Sequence, residues 1–357
     1  MEEKEKMVLY PYPSTEQFAN VIRAVKLKTH FVGLDADGQP MYDGTRLLPV
    51  LHYTGTVKLH GTNATIHRFK VDENSDSQFY AQSRAQVLNP PYNDNAGFGA
   101  YMKALPQDII NRIFKHPHTK VTVCGEWAGK SIQNGVGISR VEKSFFIFGA
   151  SLHIDGKEHR QWINVKDLYS DDDLTAMNAH RVYSIYQFQT WEIDIDFNNP
   201  QLIQNQLVSI TEQVGTCCPV AKALGVEGEP MIGEGVVWKT YEPGFESDDF
   251  WYKVKDERHS ASKIRRLASV DVEKLNSVKE FIEYAVTENR LKQGLENIPG
   301  LDMRYTGDFI RWVFNDVMKE ETLTLEENKI DQKLIGSEVA KVAKRWFFER
   351  IKAESGL

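Results

Sequence analysis

The segment Lys58-Leu-His-Gly-Thr-Asn63 follows an apolar run, Pro49 to Lys58, whose composition predicts a β-strand. A lysine at a strand end, with a glycine turn directly after it, is held in a defined place and can face a ligand. A lysine amine attacks phosphorus only when deprotonated, and its ordinary pKa is about 10.4, so burial or neighbouring cations must lower that pKa. The segment therefore indicates a nucleophilic lysine. The alternative is a surface lysine before an ordinary turn.

Two further segments place carboxylates at strand ends. In Val123-Cys-Gly-Glu-Trp-Ala-Gly129, Glu126 can accept a hydrogen bond from a ribose hydroxyl, or it can be an exposed turn residue. In Gly233-Glu-Gly-Val-Val-Trp-Lys239, Glu234 can bind Mg²⁺, which takes oxygen ligands, and Lys239 can reach a phosphate. The alternative for this second segment is a pair of strand-end charges that point into solvent.

Two later strands complete the set of candidate residues. Tyr252-Lys-Val-Lys255 places two lysines on one strand face, where an anion would relieve their repulsion, although lysines also protect exposed edge strands. Together with Lys239, they would lower the pKa of Lys58 and neutralise phosphates. The aromatic strand Lys143-Ser-Phe-Phe-Ile-Phe148 supplies core residues, one of which can instead stack on a base. Arg84 is a weaker candidate.

The pattern of the chain predicts an α+β fold with a mainly antiparallel sheet, because short strand-like runs outnumber helices and no β-α-β alternation repeats. The predicted strands cover residues 49–58, 64–71, 120–125, 145–153, 235–239 and 250–254. Helices are predicted near 15–27, 106–115 and 201–214. The first helix is expected to begin at a capping box in Ser14-Thr15-Glu16-Gln17. Residues 33–44 and 170–174 are expected to form loops.

The C-terminal part of the chain has a different pattern. Apolar residues recur there at helical spacing in three stripes: Val278, Phe281, Ile282 and Ala285; Phe309, Trp312, Val313 and Val317; and Val339, Val342, Ala343 and Trp346. We therefore expect two domains, with the candidate site in residues 1–262 and an all-helical domain in residues 263–357.

The net charge of −7 argues against a nucleic-acid partner when taken as a total, but the charge is unevenly distributed. Residues 151–250 carry −11, whereas residues 51–150 carry +4 and the run from Lys253 to Arg266 is also basic. Because a partner responds to local charge, the total does not exclude a nucleic acid. We expect such a partner to bind a confined positive surface.

The three cysteines, Cys124, Cys217 and Cys218, form neither a disulfide framework nor a metal-binding spacing, which favours a reducing compartment. No apolar run is long enough to span a membrane, and the first residues do not resemble a secretory signal. We therefore expect a cytoplasmic protein without a membrane partner. Nothing in the sequence indicates an obligate oligomer, so a monomer is expected.

Taken in order, the candidate segments resemble the motifs of covalent lysyl-AMP nucleotidyltransferases. They are most similar to the RNA ligase 2 family, which includes phage RNA repair ligases and trypanosome RNA-editing ligases. Lys58 to Asn63 resembles the nucleophile motif K-x-H-G-T-N, and Arg84 stands where the family has its next basic residue. The later matches are Gly125 to Gly129 with Ile132-Gln133 (G-E-F-A-G and I-Q), Phe145 to Phe148 (the aromatic strand), Glu234 to Lys239 (E-G-x-V-x-K), Lys253 to Lys255 (K-x-K) and Tyr284 to Arg290 (T-x-N-R in a helical domain).

The resemblance implies an antiparallel nucleotidyltransferase domain and an ATP-dependent RNA ligase that uses Mg²⁺ or Mn²⁺. Lys58 would take AMP from ATP, pass it to an RNA 5′-phosphate, and allow a 3′-hydroxyl to seal the strand. The other implied roles are a ribose contact for Glu126, adenine stacking for Phe148, metal binding for Glu234, phosphate neutralisation for Lys239, Lys253 and Lys255, a nucleotide or RNA contact for Arg84, and shaping of the nucleophile pocket for His60 and Asn63.

One departure from the family pattern is Val57, which stands where the family often has a glutamate. A DNA ligase and an mRNA-capping guanylyltransferase are related alternatives, but those enzymes usually have aspartate at the position of His60 and an OB-fold near the last motif. A protein that keeps the fold and binds nucleotide or RNA without catalysis is a further alternative. The family resemblance favours nicks in duplex RNA as the substrate.

Overall fold

The computed structural model describes residues 7–69, 78–154, 160–256, 278–327 and 330–355. Antiparallel sheets and packed helices confirm the predicted α+β fold class. The strands are β1 (Phe31–Leu34), β2 (Pro40–Tyr42), β3 (Val50–Lys58), β4 (Thr62–Phe69), β5 (Gln78–Ser83), β6 (Val121–Ala128), β7 (Ser144–Leu152), β8 (Gln161–Ile163), β9 (Val182–Ser184), β10 (Thr190–Asp196), β11 (Gly235–Lys239) and β12 (Tyr252–Lys255).

The helices pack against the sheets in the first part of the chain and against one another in the last part. They are α1 (Phe18–His30), α2 (Phe98–Ala104), α3 (Gln107–Ile113), α4 (Asp171–Ala179), α5 (Gln204–Thr216), α6 (Pro219–Ala223), α7 (Val278–Ala285), α8 (Glu288–Glu296), α9 (Thr306–Glu327) and α10 (Gln332–Ser355). The three predicted apolar stripes belong to α7, α9 and α10 and meet in one hydrophobic cluster.

A four-stranded antiparallel sheet has the order β10-β3-β11-β12. Lys58, the last residue of β3, pairs with Gly235 of β11, and Gly235 pairs with Lys255 of β12. A Cβ atom added to Gly235, which has a φ of +153°, would lie 2.2 Å from the carbonyl oxygen of Val254. Only glycine therefore allows this close approach, and Lys58 and Lys255 lie on either side of a residue without a side chain.

The larger sheet has the order β5-β4-β6-β7-β8, with β9 parallel to β7. Asn63 of β4 lies opposite Glu126 of β6, which lies opposite Phe146 of β7, so these three side chains form a row on one face. The register shifts beside Gly125, which leaves Phe148 as the extra residue of a β-bulge. Such bulges redirect side chains next to functional sites.

Three local predictions were wrong. Residues 33–44, expected to form a loop, contain most of an antiparallel hairpin, β1-β2. Helix α1 begins at Phe18 after Gln17, whose side chain makes no capping hydrogen bond. The expected loop at 170–174 instead begins helix α4 with a complete capping box between Ser170 and Asp173. Asp173 is buried, and its ion pairs with Arg112 of α3 and Lys115 of the following turn offset the cost of burying its charge.

The proposed domain boundary at 262/263 lies outside the described residues and stays a prediction, as does the part of the basic run from Arg258 to Arg266. None of the described helices combines the length and apolar character needed to cross a membrane.

Candidate active site

The strand ends of the smaller sheet bring Lys58 into contact with Glu234. The Lys58 Nζ atom donates a hydrogen bond of 2.7 Å to Oε2 of Glu234. The Glu234 side chain is 5% exposed and the Lys58 side chain 25%, so the carboxylate is buried while the amine can still meet a ligand. The two residues are 176 positions apart in the chain, and their contact follows from the pairing of β3 with β11.

Glu234 also has two other basic side chains as neighbours. Nζ of Lys255 lies 3.4 Å from its Oε1 atom, and Nδ1 of His60 lies 3.5 Å from its Oε2 atom. Burial raises the pKa of Glu234, but Lys58 and Lys255 outweigh this effect and hold the pKa well below its usual range. Burial likewise lowers the pKa of Lys255, and Glu234 outweighs it, so that this pKa is raised. Glu234 is therefore the anionic centre of the site.

Lys239 is buried among aromatic rings rather than exposed. Its Nζ atom donates a hydrogen bond of 2.9 Å to the carbonyl oxygen of Phe148 and lies 4.3 Å from the ring centre of Trp251. The rings of Tyr12 and Phe148 lie 5.5 and 5.2 Å away. Burial lowers the pKa of Lys239 to about 7. A phosphate nearby would favour the protonated form and recover the lost solvation.

Lys253 pairs with a residue of the C-terminal helices. Its Nζ atom donates a hydrogen bond of 2.8 Å to Oε1 of Glu320 on α9. Burial lowers the pKa of Lys253, although Glu320 opposes this effect. Burial raises the pKa of Glu320, but Lys253 and Lys255 outweigh it and lower the pKa to about 2. Arg290 of α8, which belongs to the T-x-N-R segment, is fully buried. It donates a hydrogen bond of 2.8 Å to Asp316, which lies on α9 together with Glu320.

Glu126 fixes the turn inside the nucleophile segment. Its Oε1 atom accepts a hydrogen bond of 3.0 Å from the backbone amide of Gly61. Burial raises the pKa of Glu126 to about 7, although Lys58 and His60 oppose this effect. A carboxyl group that titrates near neutral pH can either accept a hydrogen bond from a ribose hydroxyl or donate one.

These groups surround one cavity of about 530 Å³. The sequence-predicted residues that line it are Lys58, Asn63, Arg84, Glu126, Phe148, Lys239, Lys253 and Lys255. His60 and Glu234 are not part of the cavity wall. Glu234 contacts Lys58, and His60 contacts Glu234. Arg84 is exposed, so it contributes to the rim of the cavity.

Sequence reasoning missed several residues of the cavity wall, among them Tyr12, Lys319 and Glu320. The ring of Tyr12 packs edge-on against Phe148, with ring centres 4.8 Å apart. Glu320 lies on an amphipathic helix where charged residues are common, so no local signal distinguishes it. Val57, the departure from the family pattern, also lines the cavity and is buried as part of a hydrophobic core cluster.

The carboxylates near Lys58 can hold a metal ion only if phosphate oxygens complete its ligand shell. Among the described residues, no three His, Cys, Asp or Glu side chains gather into a metal-binding group. Beyond the effect of burial, the charge of Glu234 raises the pKa of Glu126, so these two carboxyl groups are close neighbours. Mg²⁺ commonly takes one or two carboxylates and completes its shell with water and substrate phosphates. Glu126 and Glu234 therefore suit a metal shared with a bound triphosphate.

Comparison with solved structures finds Naegleria gruberi RNA ligase. The match to a mutant of that protein with AMP and Mn has 16% sequence identity and a TM-score of 0.41. It covers 70% of this chain and 56% of the Naegleria chain. The same ligase with PPi is 15% identical, with coverages of 72% and 60% and a TM-score of 0.40. This chain thus spans a little over half the length of the Naegleria protein. No curated protein matches the chain.

The family model for RNA ligase matches residues 51–255, which is more than half of the chain. The matched range begins in β3, just before the nucleophile segment, and ends at Lys255, so it contains all ten candidate site residues. This match confirms the resemblance at the level of the RNA ligase family. The chain belongs to the RNA ligase family.

Proposed function

We propose that this chain is an ATP-dependent RNA ligase that joins a 3′-hydroxyl end to a 5′-phosphate end, with nicks in duplex RNA as its substrate. The observation that carries this proposal is the convergence of four lysines, Lys58, Lys239, Lys253 and Lys255, on one cavity of about 530 Å³. Several lysine amines gathered in a partly buried cavity suit a polyphosphate, which favours their charged forms. We further propose that the protein acts as a monomer in the cytoplasm.

The proposed reaction has three displacements at phosphorus. Nζ of Lys58, after losing a proton, attacks the α-phosphorus of ATP; an N–P bond forms and pyrophosphate leaves. An oxygen of the RNA 5′-phosphate then attacks the AMP phosphorus, the N–P bond breaks, and Lys58 regains its proton. Finally the 3′-hydroxyl attacks the RNA 5′-phosphorus and loses its proton, while AMP leaves and a phosphodiester forms. Electrostatic stabilisation and positioning supply most of the rate in such transfers.

Glu234 controls whether Lys58 is free to react. Its carboxylate accepts the hydrogen bond of the Lys58 amine, and the attack needs the electron pair of the same nitrogen. The ion pair must therefore open when ATP arrives. A Mg²⁺ or Mn²⁺ ion held by Glu234 would supply positive charge to the phosphates during transfer.

The remaining residues serve the nucleotide and the RNA end in this proposal. Glu126 receives the ribose hydroxyl, and Phe148, set out on its bulge, stacks on adenine. Lys239, Lys253 and Lys255 neutralise phosphate charge, and Arg84 contacts the nucleotide or the RNA end from the cavity rim. His60 and Asn63 hold the surroundings of Lys58.

Incubation with α-labelled ATP and Mg²⁺ tests the function directly. We expect a protein-AMP adduct that is labile in acid and stable in alkali, as a phosphoramidate should be. A parallel incubation with α-labelled GTP should give no adduct; labelling by GTP instead of ATP would identify a capping guanylyltransferase. Absence of any adduct would leave a non-catalytic nucleotide or RNA-binding protein.

The polynucleotide substrate is tested with matched nicked duplexes. We expect sealing of a nick in duplex RNA to be faster than sealing of the same nick in duplex DNA. The reverse order would identify a DNA ligase. Equal chain lengths and sequences in the two duplexes, with deoxyuridine in place of thymidine in the DNA, make the sugar the only variable.

Lys239 makes ATP binding dependent on pH. Because burial lowers its pKa to about 7, most Lys239 amines are neutral at pH 8, and a bound phosphate favours the charged form. We expect ATP binding at pH 8 to take up close to one proton, and the apparent Kd to rise severalfold per pH unit above pH 7. Calorimetry in two buffers of different ionisation enthalpy measures this uptake, using the Lys58→Ala variant so that no reaction follows. The same titration with Lys58→Ala/Lys239→Met should show the uptake lost; its persistence would rule out Lys239 as the source.

A further inference from the structure

The segment Asn95-Ala96-Gly97 has an unusual backbone beside the nucleophile motif. All three residues are in the left-handed region, with φ angles of +44°, +57° and +94°. Asparagine and glycine tolerate this region, but alanine does not favour it. A strained backbone of this kind persists where the surrounding structure holds it, and it is concentrated at functional sites.

Hydrogen bonds hold this segment against β4 and β6 of the larger sheet. The Asn95 Oδ1 atom accepts a bond of 3.0 Å from the Thr62 hydroxyl, and its Nδ2 atom donates one of 3.1 Å to the Asn63 carbonyl oxygen. The Ala96 carbonyl oxygen accepts bonds from Trp127 Nε1 at 3.2 Å and Lys143 Nζ at 2.9 Å. The segment thus connects β4, which follows the nucleophile turn, with β6, which carries Glu126.

Asn63 has an unsatisfied atom at the same place. Its Oδ1 atom is buried and has no hydrogen-bond partner among the described residues, and Asn63 lines the active-site cavity. A buried amide oxygen without a donor is unfavourable, so a donor from a ligand would stabilise it. The candidates are a hydroxyl group of the nucleotide or RNA end, or a water molecule.

We propose that Asn95 is a positioning residue, which holds Thr62 and Asn63 so that the Asn63 amide oxygen receives a donor from the substrate. Asn95 is not part of the cavity wall, so it acts through these two neighbours rather than by contact with substrate. Its amide offers an acceptor to Thr62 and a donor to Asn63, and an apolar side chain has neither. This inference rests on the proposed ligase function.

Asn95→Gly is the decisive substitution because glycine adopts the same positive φ without strain, while the side-chain amide and both of its hydrogen bonds are removed. We expect the single-turnover rate of Lys58 adenylylation at saturating ATP to fall about tenfold, as expected for the loss of two hydrogen bonds. The ATP concentration at half-maximal rate should change less than about twofold, since Asn95 does not contact the cavity. The thermal midpoint should stay near that of the wild type.

Asn93→Ala is the matched control. Asn93 lies two residues earlier and donates its amide hydrogen bonds to Gln86 and Val87, away from the nucleophile motif. We expect this variant to adenylylate like the wild type. An equal loss of rate in Asn93→Ala and Asn95→Gly, with lowered thermal midpoints in both, would overturn the proposal in favour of general destabilisation.

A double substitution separates positioning from a purely structural role. If Asn95 acts through Thr62, the variant Asn95→Gly/Thr62→Val should be no more than about twofold slower than the slower single variant. Multiplied losses would contradict the proposal, as would an Asn95→Gly rate within about twofold of the wild type. Both outcomes require an active wild-type protein. A wild type that forms no adduct would instead overturn the ligase function itself.

Discussion

Replacement of Lys58 by alanine is expected to abolish transfer of AMP to the protein, with a loss of at least about 10³-fold in the rate of adduct formation. Lys58 is the candidate nucleophile that combines a place in the cavity wall with a hydrogen bond to the buried Glu234. Without its amine no N–P bond can form at this position. The measurement is the rate of acid-labile labelling from α-labelled ATP in the presence of Mg²⁺.

Two controls make this result specific. Lys58→Arg retains a cation beside Glu234, but a guanidinium does not lose its proton at neutral pH and should not react. We expect it to fold like the wild type and to form no adduct. Lys103→Ala removes an exposed lysine from α2 and should react normally. An adduct that persists in Lys58→Ala would place the nucleophile elsewhere.

Replacement of Lys253 by methionine is expected to reduce adenylylation about 10²-fold. A phosphate in the cavity would lose a charge-assisted hydrogen-bond donor, and truncation of one partner of a buried charged pair costs about 2–5 kcal/mol. Lys253→Met should also lower the free energy of unfolding, because Glu320 would remain a largely buried carboxylate without its 2.8 Å partner. Labelling rates and denaturant unfolding measure the two effects.

A second substitution separates these two effects. Glu320→Gln removes the uncompensated charge, so Lys253→Met/Glu320→Gln should recover most of the lost unfolding free energy. It should not recover adenylylation, since the phosphate still lacks its lysine. Recovery of both would show that Lys253 serves only to hold the helical domain, and recovery of neither would contradict the paired arrangement.

The pH dependence of stability gives an independent check of the same pair. Glu320 has a pKa lowered to about 2, so its ion pair stabilises the folded state above the ordinary glutamate pKa and loses this effect as the pH falls towards 2. We expect the unfolding free energy of the wild type to decrease through this acid range. The decrease should be smaller in Lys253→Met, because Glu320 then keeps a pKa closer to that of the unfolded chain.

Local sequence patterns were reliable where one period or one motif governs the backbone. Alternation and short apolar runs predicted β3, β6, β7 and β11, because a strand depends mainly on which residues face its own sheet. The helical stripes of α7, α9 and α10 were equally clear. Patterns failed at Ser14 to Gln17 and at residues 170–174, where the same residue types suit either a cap or a loop and neighbouring elements decide.

The sequence by itself indicated most of the lysines and carboxylates that meet at the cavity, their order along the strands, and the family to which they point, but not Glu320. Only the tertiary structure decided how these groups are paired. Glu234, expected as a metal ligand, is paired with Lys58 and Lys255. Lys253 is paired with Glu320 of α9, which lies 67 residues later in the chain. The physical reason is that strand pairing and helix docking are long-range contacts, whereas the charge pairs that they bring together leave no periodic signal in the chain.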